Sequence, residues 1–409
     1  MRVLQINSVC GIGSTGRIAT DIHALLTEKN HESYVAYGRD EPINCNSSIR
    51  IGNKFDNYLH VAKSKLLDMH GFGSKNATKQ FIDKVKKIDP DVIHLHNIHG
   101  YFINVEMLFE FLKETNKPVI WTLHDCWPFT GHCSYFEYSG CECWKVQGNH
   151  KCIQKDSYPS SLLINNSKNN YERKRKAFTG VNNLTIITPS EWLANLVKES
   201  FLREYTVKVI NNGIDLEVFK PRESNFREKY KLENKYIMLG VANVWSKRKG
   251  YEYFIELSKI ISEDEIIILV GLTKSQIKNL PPNIIGISKT KNVADLSEIY
   301  SNVDIFINPT LEDNFPTTNL ESLACGTPVI TFNTGGSVES IDESCGKIVT
   351  QGDLNELIAS IQELRMVKIN EEHCIRRSRL YNKINKFGEY ISLYSDVLLS
   401  SNSSNMKMK

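Results

Sequence analysis

The amino-acid sequence predicts an α/β protein made of two parallel-sheet domains. Three observations carry this expectation. The chain has 409 residues, too many for one ordinary core and suited to two domains of roughly 200 residues each. Short apolar, β-branched runs alternate with longer stretches of helical period, which is the pattern of βαβ units. The pattern then restarts near position 210, so that the second half repeats the first.

Taken in order, the strands expected in the first half are Val3–Ile6, Ser33–Tyr37, Val92–Leu95, Val119–Leu123 and Leu184–Thr188. Those of the second half are Tyr236–Val241, Ile266–Val270, Ile284–Ile287, Ile305–Asn308 and Val329–Phe332. The opening MRVLQINSV runs straight into a glycine-rich turn and lacks the long apolar core and cleavage site of a signal peptide, so it reads as a first strand. No stretch approaches the roughly 20 consecutive apolar residues of a membrane-spanning helix. Turn formers at Asn211-Asn212-Gly213 and a proline at Pro221 mark the interdomain connection. The expected division is therefore 1–212 and 213–384, followed by a helix over 385–400 and a polar, disordered tail over 400–409.

Composition narrows the function classes. With 41% hydrophobic and 24% charged residues the chain is an ordinary globular protein. Its net charge of +3, from 50 basic and 47 acidic side chains, gives no support to nucleic-acid binding. The basic stretch Tyr171-Glu172-Arg173-Lys174-Arg175-Lys176 reads as a solvated helix face, with contact to an anionic membrane surface as the alternative.

Two segments carry the chemistry. Gly11-Ile12-Gly13-Ser14-Thr15-Gly16 follows the first strand and opens a helix, where small residues let backbone N–H groups approach a phosphate. Gly13, Ser14, Thr15 and Gly16 are read as donor contacts, against the alternatives of a plain tight turn or a nicotinamide site. In the second half, Pro309 to Glu321 lies between a strand and a short helix, with carboxylates at the strand's C-terminal edge. Thr317 or Thr318 is expected to cap that helix and Glu321 to accept hydrogen bonds from ribose hydroxyls. His94 and His96 fall on one face of a strand without a clear third metal ligand, so they are read as packing or acceptor contacts. Asn97, His99 and Tyr101, at the strand end, are the acceptor-site candidates.

Ten cysteines in a cytosolic chain are expected to be reduced. Four of them, Cys133, Cys141, Cys143 and Cys152, lie within 20 residues in a glycine-containing stretch. They suggest a closed structural zinc site, with His132 and His150 as reserve ligands.

The segment Glu312-Asp313-Asn314-Phe315-Pro316, followed by Leu320-Glu321 and Ala324-Cys325-Gly326-Thr327-Pro328-Val329, resembles the E-x7-E region of the family-4 retaining glycosyltransferases. Further matches are Trp245-Ser246-Lys247-Arg248-Lys249-Gly250, Thr188-Pro189-Ser190-Glu191-Trp192, Asn212-Gly213-Ile214-Asp215, Thr334-Gly335-Gly336 and Thr122-Leu123-His124-Asp125. Gly71-Phe72-Gly73-Ser74-Lys75 and His94 to Tyr101 are similar to the branch that assembles capsular, exopolysaccharide or O-antigen glycans.

The resemblance implies a GT-B fold, with two Rossmann-like domains facing across a cleft and the C-terminal helix returning to the first domain. It implies a nucleoside-diphosphate sugar as donor, no cofactor for catalysis, and a glycan or lipid-linked oligosaccharide acceptor. The expected location is cytoplasmic, peripheral at the inner face of the plasma membrane. Lys249 matches the family's pyrophosphate-binding lysine, and Glu321 its ribose-binding glutamate. Asp313 takes the place of the first glutamate, with Glu312 as the alternative. The family's usual Gly-Arg is replaced by Ala242-Asn243, so Arg248 is expected to supply the missing charge. His124 is expected to face the donor sugar, and Asn314, Phe315, Thr317, Thr318 and Asn319 to line the donor site. Competing expectations are an epimerase or hydrolase of the same fold, a degenerate nucleotide-sugar binder and, on the glycine fingerprint alone, a dehydrogenase.

Overall fold

The computed structural model describes residues 1–145 and 152–407, and side chains as far as residue 401. The chain divides into two compact units. One comprises Met1–Asn211 with Ile384–Lys409, and the other Asn212–Lys383.

The first unit holds a seven-stranded sheet of order β3-β2-β1-β4-β5-β6-β7. Its strands are β1 Arg2–Asn7, β2 Glu32–Tyr37, β3 Ser48–Arg50, β4 Val92–Leu95, β5 Val119–Thr122, β6 Leu184–Thr188 and β7 Thr206–Val209. Every pairing is parallel. β1, β4 and β5 are buried on both faces, which explains their near-continuous apolar sequence. The C-terminal helix packs Phe387, Tyr390 and Tyr394 against Val3, Val92, Ile120 and Ile187 of this sheet.

The second unit holds six parallel strands of order β10-β9-β8-β11-β12-β13. They are β8 Tyr236–Val241, β9 Glu265–Val270, β10 Ile284–Ile287, β11 Ile305–Asn308, β12 Val329–Phe332 and β13 Gly346–Val349. In both sheets the strand order reverses beside the first strand, between β1 and β4 and between β8 and β11. An open parallel sheet forms its ligand crevice at that point, beyond the strands' C-terminal ends.

Three strands were not expected from sequence: β3, β7 and β13. Each is an edge strand. β7 alternates exposed and half-buried residues, and β13 carries Gly346 and Lys347, so neither shows an apolar run. Two further expectations need correction. The tail expected to be disordered from 400 onward is helical as far as Lys407, because a helix already formed extends through Ser and Asn at small cost when no Gly or Pro stops it. The stretch Tyr171–Lys176 is solvated only at Glu172, Arg175 and Lys176: Tyr171 and Lys174 are buried, and Arg173 pairs with Glu106 at 2.7 Å. The Lys174 ammonium donates to the carbonyls of Trp127 (2.7 Å) and Thr130 (3.1 Å) and lies 3.5 Å from the Trp127 ring centroid. Burial lowers its pKa to about 7.

Candidate active site

In the second unit the loops after β8, β11 and β12 meet at the sheet's reversal point. The β8 loop ends in a single helical turn, Lys247–Lys249, closed by Gly250 at φ 76°. A Cβ at Gly250 would stand 2.1 Å from the Pro309 carbonyl oxygen, so glycine lets this turn press against the end of β11. Leu311 N–H donates to the Arg248 carbonyl (2.8 Å), and Arg248 Nη1 donates to the Glu312 carbonyl (2.8 Å). Lys249 Nζ then reaches Asp313 Oδ2 at 2.5 Å. The loop after β12 closes over the same residue: a Cβ at Gly335 would lie 1.9 Å from the Asp313 carbonyl oxygen.

Burial pushes the Asp313 carboxyl up, but the Lys249 and Arg248 charges outweigh it and hold the group below the usual carboxylate range. The first of the two expected carboxylate candidates thus stands ionised against the lysine. Glu312 is buried beside it, with its backbone carbonyl engaged by Arg248 and Thr310.

Thr317–Ala324 form the helix after β11. The expected threonine cap is absent: the N-cap is Pro316 and no side chain bonds the first turn, because the helix begins at Thr317 itself. Thr317 and Thr318 are half-buried within that first turn. An uncapped N-terminus keeps donors and a positive dipole end for an anion. Glu321 is buried and accepts from the Tyr300 hydroxyl (3.2 Å). Asn319, expected at the donor, binds the framework instead: its Oδ1 accepts from Asn308 Nδ2 (2.8 Å) and its Nδ2 donates to the Ser337 carbonyl (3.1 Å). Asn314 and Phe315 are buried, and the Phe315 ring packs on Tyr381.

In the first unit the glycine-rich loop opens the helix Gly13–Glu28, again with no side-chain cap. Gly11 N–H donates to the Gly16 carbonyl (3.1 Å), and Gly11 and Gly13 have φ of 75° and 65°. Gly13 and Ser14 are exposed, Thr15 half-buried and Gly16 buried.

His124, just past β5, sits at the end of a buried polar chain. His124 Nε2 lies 3.2 Å from His96 Nδ1, and His96 Nε2 lies 3.0 Å from Gln5 Oε1. Gln5 Nε2 is held by the Ala19 carbonyl (2.9 Å). Burial lowers His124 to about 4 and His94 to about 3, and drives His96 well below the ordinary imidazole value, so all three are neutral near pH 7. His94 bonds Thr122 and Tyr394, in keeping with a packing role.

Asp125 turns to another histidine: its Oδ2 lies 3.0 Å from His99 Nε2, and its Oδ1 accepts from the Trp127 N–H (3.0 Å). Burial raises the Asp125 pKa, but these contacts prevail and hold it low. Of the acceptor candidates, Asn97 N–H bonds Asn7, His99 is buried, and Tyr101 adopts φ 69°, unusual for a residue with a side chain. Asn57 Nδ2 clamps the Tyr101 carbonyl at 3.0 Å.

Sequence reasoning missed Gln5 and Tyr300 as supports of the site. A glutamine inside the otherwise apolar first strand was the one available signal, since a buried polar side chain needs a partner.

The four clustered thiols, Cys133, Cys141, Cys143 and Cys152, line one small cavity. All four are free thiols, each with another thiol of the group as its neighbour: Cys133 beside Cys152, Cys152 beside Cys143 and Cys143 beside Cys141. The neighbouring Cys133 thiol, with burial, pushes the Cys152 thiol up to about 12. His132 gives its Nδ1 to Asp68 at 2.5 Å and buries an Nε2 that lacks a hydrogen-bond partner. His150 lies outside the described residues. Among the described residues no group of three or more His, Cys, Asp or Glu side chains is placed to hold a metal ion.

Comparison with known proteins agrees with this picture in both halves. Residues 15–218 match the family described as Glycosyltransferase Family 4, and residues 235–366 the family described as Glycosyl transferases group 1. A putative colanic acid biosynthesis glycosyl transferase of Escherichia coli (strain K12) is 24% identical over 97% of this chain and 100% of its own length. An N,N'-diacetylbacillosaminyl-diphospho-undecaprenol alpha-1,3-N-acetylgalactosaminyltransferase of Campylobacter jejuni is 25% identical, over 50% of this chain and 58% of that protein. Among solved structures, sucrose-phosphate synthase from Thermosynechococcus elongatus superposes with a TM-score of 0.72 at 15% identity, covering 98% of this chain and 100% of that one.

Proposed function

The chain belongs to the family-4 glycosyltransferases, and on that premise we propose that it is a retaining enzyme of surface-polysaccharide assembly. It moves a sugar from a nucleoside-diphosphate donor to a glycan or lipid-linked glycan acceptor, with no cofactor in the chemical step. The carrying observation is the convergence of Arg248 and Lys249 on the Asp313 loop, beside an uncapped helix start at a parallel sheet's reversal point. The named activities of the Escherichia coli and Campylobacter jejuni relatives support the substrate class.

In this reading Lys249, Arg248 and the N–H groups near Thr317 take the charge that grows on the departing diphosphate. The bond between the anomeric carbon and the diphosphate oxygen breaks, and its electron pair leaves with the nucleotide. The acceptor hydroxyl bonds to the anomeric carbon on the same face and passes its proton to the departing phosphate oxygen. Asp313, ionised, accepts hydrogen bonds from the donor sugar, and Glu321 accepts those of the ribose. His124, neutral, is assigned to the sugar, and Asn97, His99 and Tyr101 to the acceptor. The chain works in the cytoplasm, peripheral to the inner face of the plasma membrane. No helix among the described residues is long and apolar enough to cross a membrane.

The test is a transfer assay with a panel of nucleotide sugars and lipid-linked glycan acceptors, with products analysed by nuclear magnetic resonance. Acceptor-dependent product with retained anomeric configuration is expected. Donor converted without any acceptor would replace this reading with an epimerase or hydrolase, and binding without turnover would leave a nucleotide-sugar binder.

A further inference from the structure

The end of β2 brings a positive charge onto the Gly100-Tyr101 turn. Gly38 and Arg39 follow that strand, and their N–H groups both donate to the Ser8 carbonyl just past β1, at 3.1 and 3.0 Å. A Cβ at Gly38 would lie 2.0 Å from Phe102 Cβ, so glycine lets the strand end press against the turn. Across the contact, Gly100 and Tyr101 both hold positive φ, 116° and 69°. For Tyr101 that is a sparsely populated conformation, which the packing around it must maintain. The result is a guanidinium lying on the turn: a Cβ at Gly100 would stand 3.6 Å from Arg39 Nη2, and Arg39 Cζ lies 5.9 Å from the Tyr101 ring centroid. Tyr158 stands edge-on to Tyr101, with ring centroids 6.4 Å apart, and has its hydroxyl 3.3 Å from His99 Nδ1.

Arg39 is half-buried, and its Nε is buried without a hydrogen-bond partner. Among the described residues no carboxylate pairs with its guanidinium. Acidic neighbours have other partners: Glu41 lies 3.8 Å from Arg50, and Asp125 faces His99 at 3.0 Å. Burial holds His70 well below the ordinary imidazole value and His124 at about 4, so these histidines add no charge near pH 7. Burial also raises the Tyr101 phenol, and the Arg39 charge works against that rise. A partly buried cation is costly unless an anion meets it. A ring face at 5.9 Å is at the outer limit of a cation–π contact and does not replace a counter-ion.

We propose that Arg39 binds an anionic group of the acceptor, a phosphate or a carboxylate, at the Gly100-Tyr101 turn, while the reacting hydroxyl is left to the neutral histidines. The planar guanidinium carries parallel N–H donors that match either anion, and a neutral glycan would leave its charge unpaired. The anion has two chemical sources: the diphosphate of a lipid carrier, or the carboxylate of an acidic sugar. This inference rests on the assignment of His99 and Tyr101 to the acceptor and deepens it by naming the acceptor's charge.

The experiment is phenylglyoxal labelling of the full chain, with the rate at Arg39 read by mass spectrometry of its peptide. Farnesyl diphosphate and methyl glucuronide serve as probes of the two anion sources, and farnesol and methyl glucoside as their neutral counterparts. The expected result is labelling of Arg39 slowed at least about tenfold by one anionic probe and unchanged by its neutral counterpart, with exposed Arg17 labelled at the same rate throughout. Protection by farnesyl diphosphate assigns the anion to a lipid carrier, and protection by methyl glucuronide to an acidic sugar. In the transfer assay, Arg39→Gln should raise the acceptor KM at least about tenfold and Arg39→Lys should recover part of the loss, with nucleoside-diphosphate affinity kept in both. Arg39→Gln removes no side-chain hydrogen bond among the described residues, so it should keep the wild-type melting temperature. Arg39 labelling that neither anionic probe slows, or that neutral probes slow equally, would overturn the inference and leave the acceptor assignment standing, as would an unchanged acceptor KM in Arg39→Gln. Protection by an anionic probe in a chain that transfers no sugar would keep the anion site and remove the transferase reading instead.

Discussion

The two sheets share one topology at their reversal points and differ in the chemistry placed there. In the second unit the crevice is charged: Arg248, Lys249 and an ionised Asp313 lie within one set of hydrogen bonds. In the first unit histidines that burial keeps unprotonated and buried tyrosines dominate, and the Asp125 carboxylate is turned to His99. The difference teaches that the fold supplies position and the loops supply charge, so one site suits a diphosphate and the other suits hydroxyl groups.

The largest expected effect separates the units by pH. His60 and His94 are lowered to about 3 and His124 to about 4, all by burial, against about 6.5 in an unfolded chain. A folded pKa below the unfolded one means that the unfolded state binds protons first. Stability is therefore complete above about pH 6.5 and is lost as pH falls toward the folded values, on the order of 2 kcal/mol per buried histidine by pH 5. In the second unit Asp215, Asp313 and Asp342 are depressed, and what they contribute is lost only as pH falls below about 4. Hydrogen exchange at pH 7 and pH 5 should show residues 1–211 losing protection well before residues 212–383. Equal loss in both would remove the neutral-histidine account.

Next in size are Lys249→Ala and Arg248→Ala, each expected to cut turnover by at least about 10²-fold, since each removes charge stabilisation at the leaving group. Steady-state rates with a saturating donor check this, and wild-type rates in both variants would break the charged half of the comparison. Glu321→Ala should weaken nucleoside-diphosphate binding by about 2–3 kcal/mol, because a buried carboxylate loses its ribose hydrogen bonds; calorimetry reads this directly. The smallest effect is that of Tyr300→Phe, which removes one hydrogen bond to Glu321 and should cost about 1 kcal/mol of the same affinity. No change there would mean that Tyr300 does not orient Glu321.

Much of this was legible in sequence where one local rule acted alone. The central strands announce themselves because burial on both faces demands apolar residues throughout, and Gly250 and Gly335 occur where only glycine fits. What escaped depended on partners distant in sequence. Nothing near Lys174 predicts that it ends beneath Trp127, and nothing near Asp125 predicts that His99 is its partner. The missing threonine cap is a matter of one residue in the helix start, which spacing cannot resolve. The four thiols came together around one cavity because they lie within one glycine-containing excursion of the chain.

One measurement tests the central claim, that the charged crevice holds the nucleotide and the histidine-lined one acts on the sugar. Nucleoside-diphosphate affinity should be measured by calorimetry for wild type, Lys249→Ala and His124→Ala, with transfer activity assayed on the same preparations. The account predicts that Lys249→Ala loses affinity by at least about tenfold, a charge-assisted bond's worth, while His124→Ala binds like wild type and transfers no sugar. Wild-type affinity in Lys249→Ala, or equal losses of affinity in both variants, would contradict it.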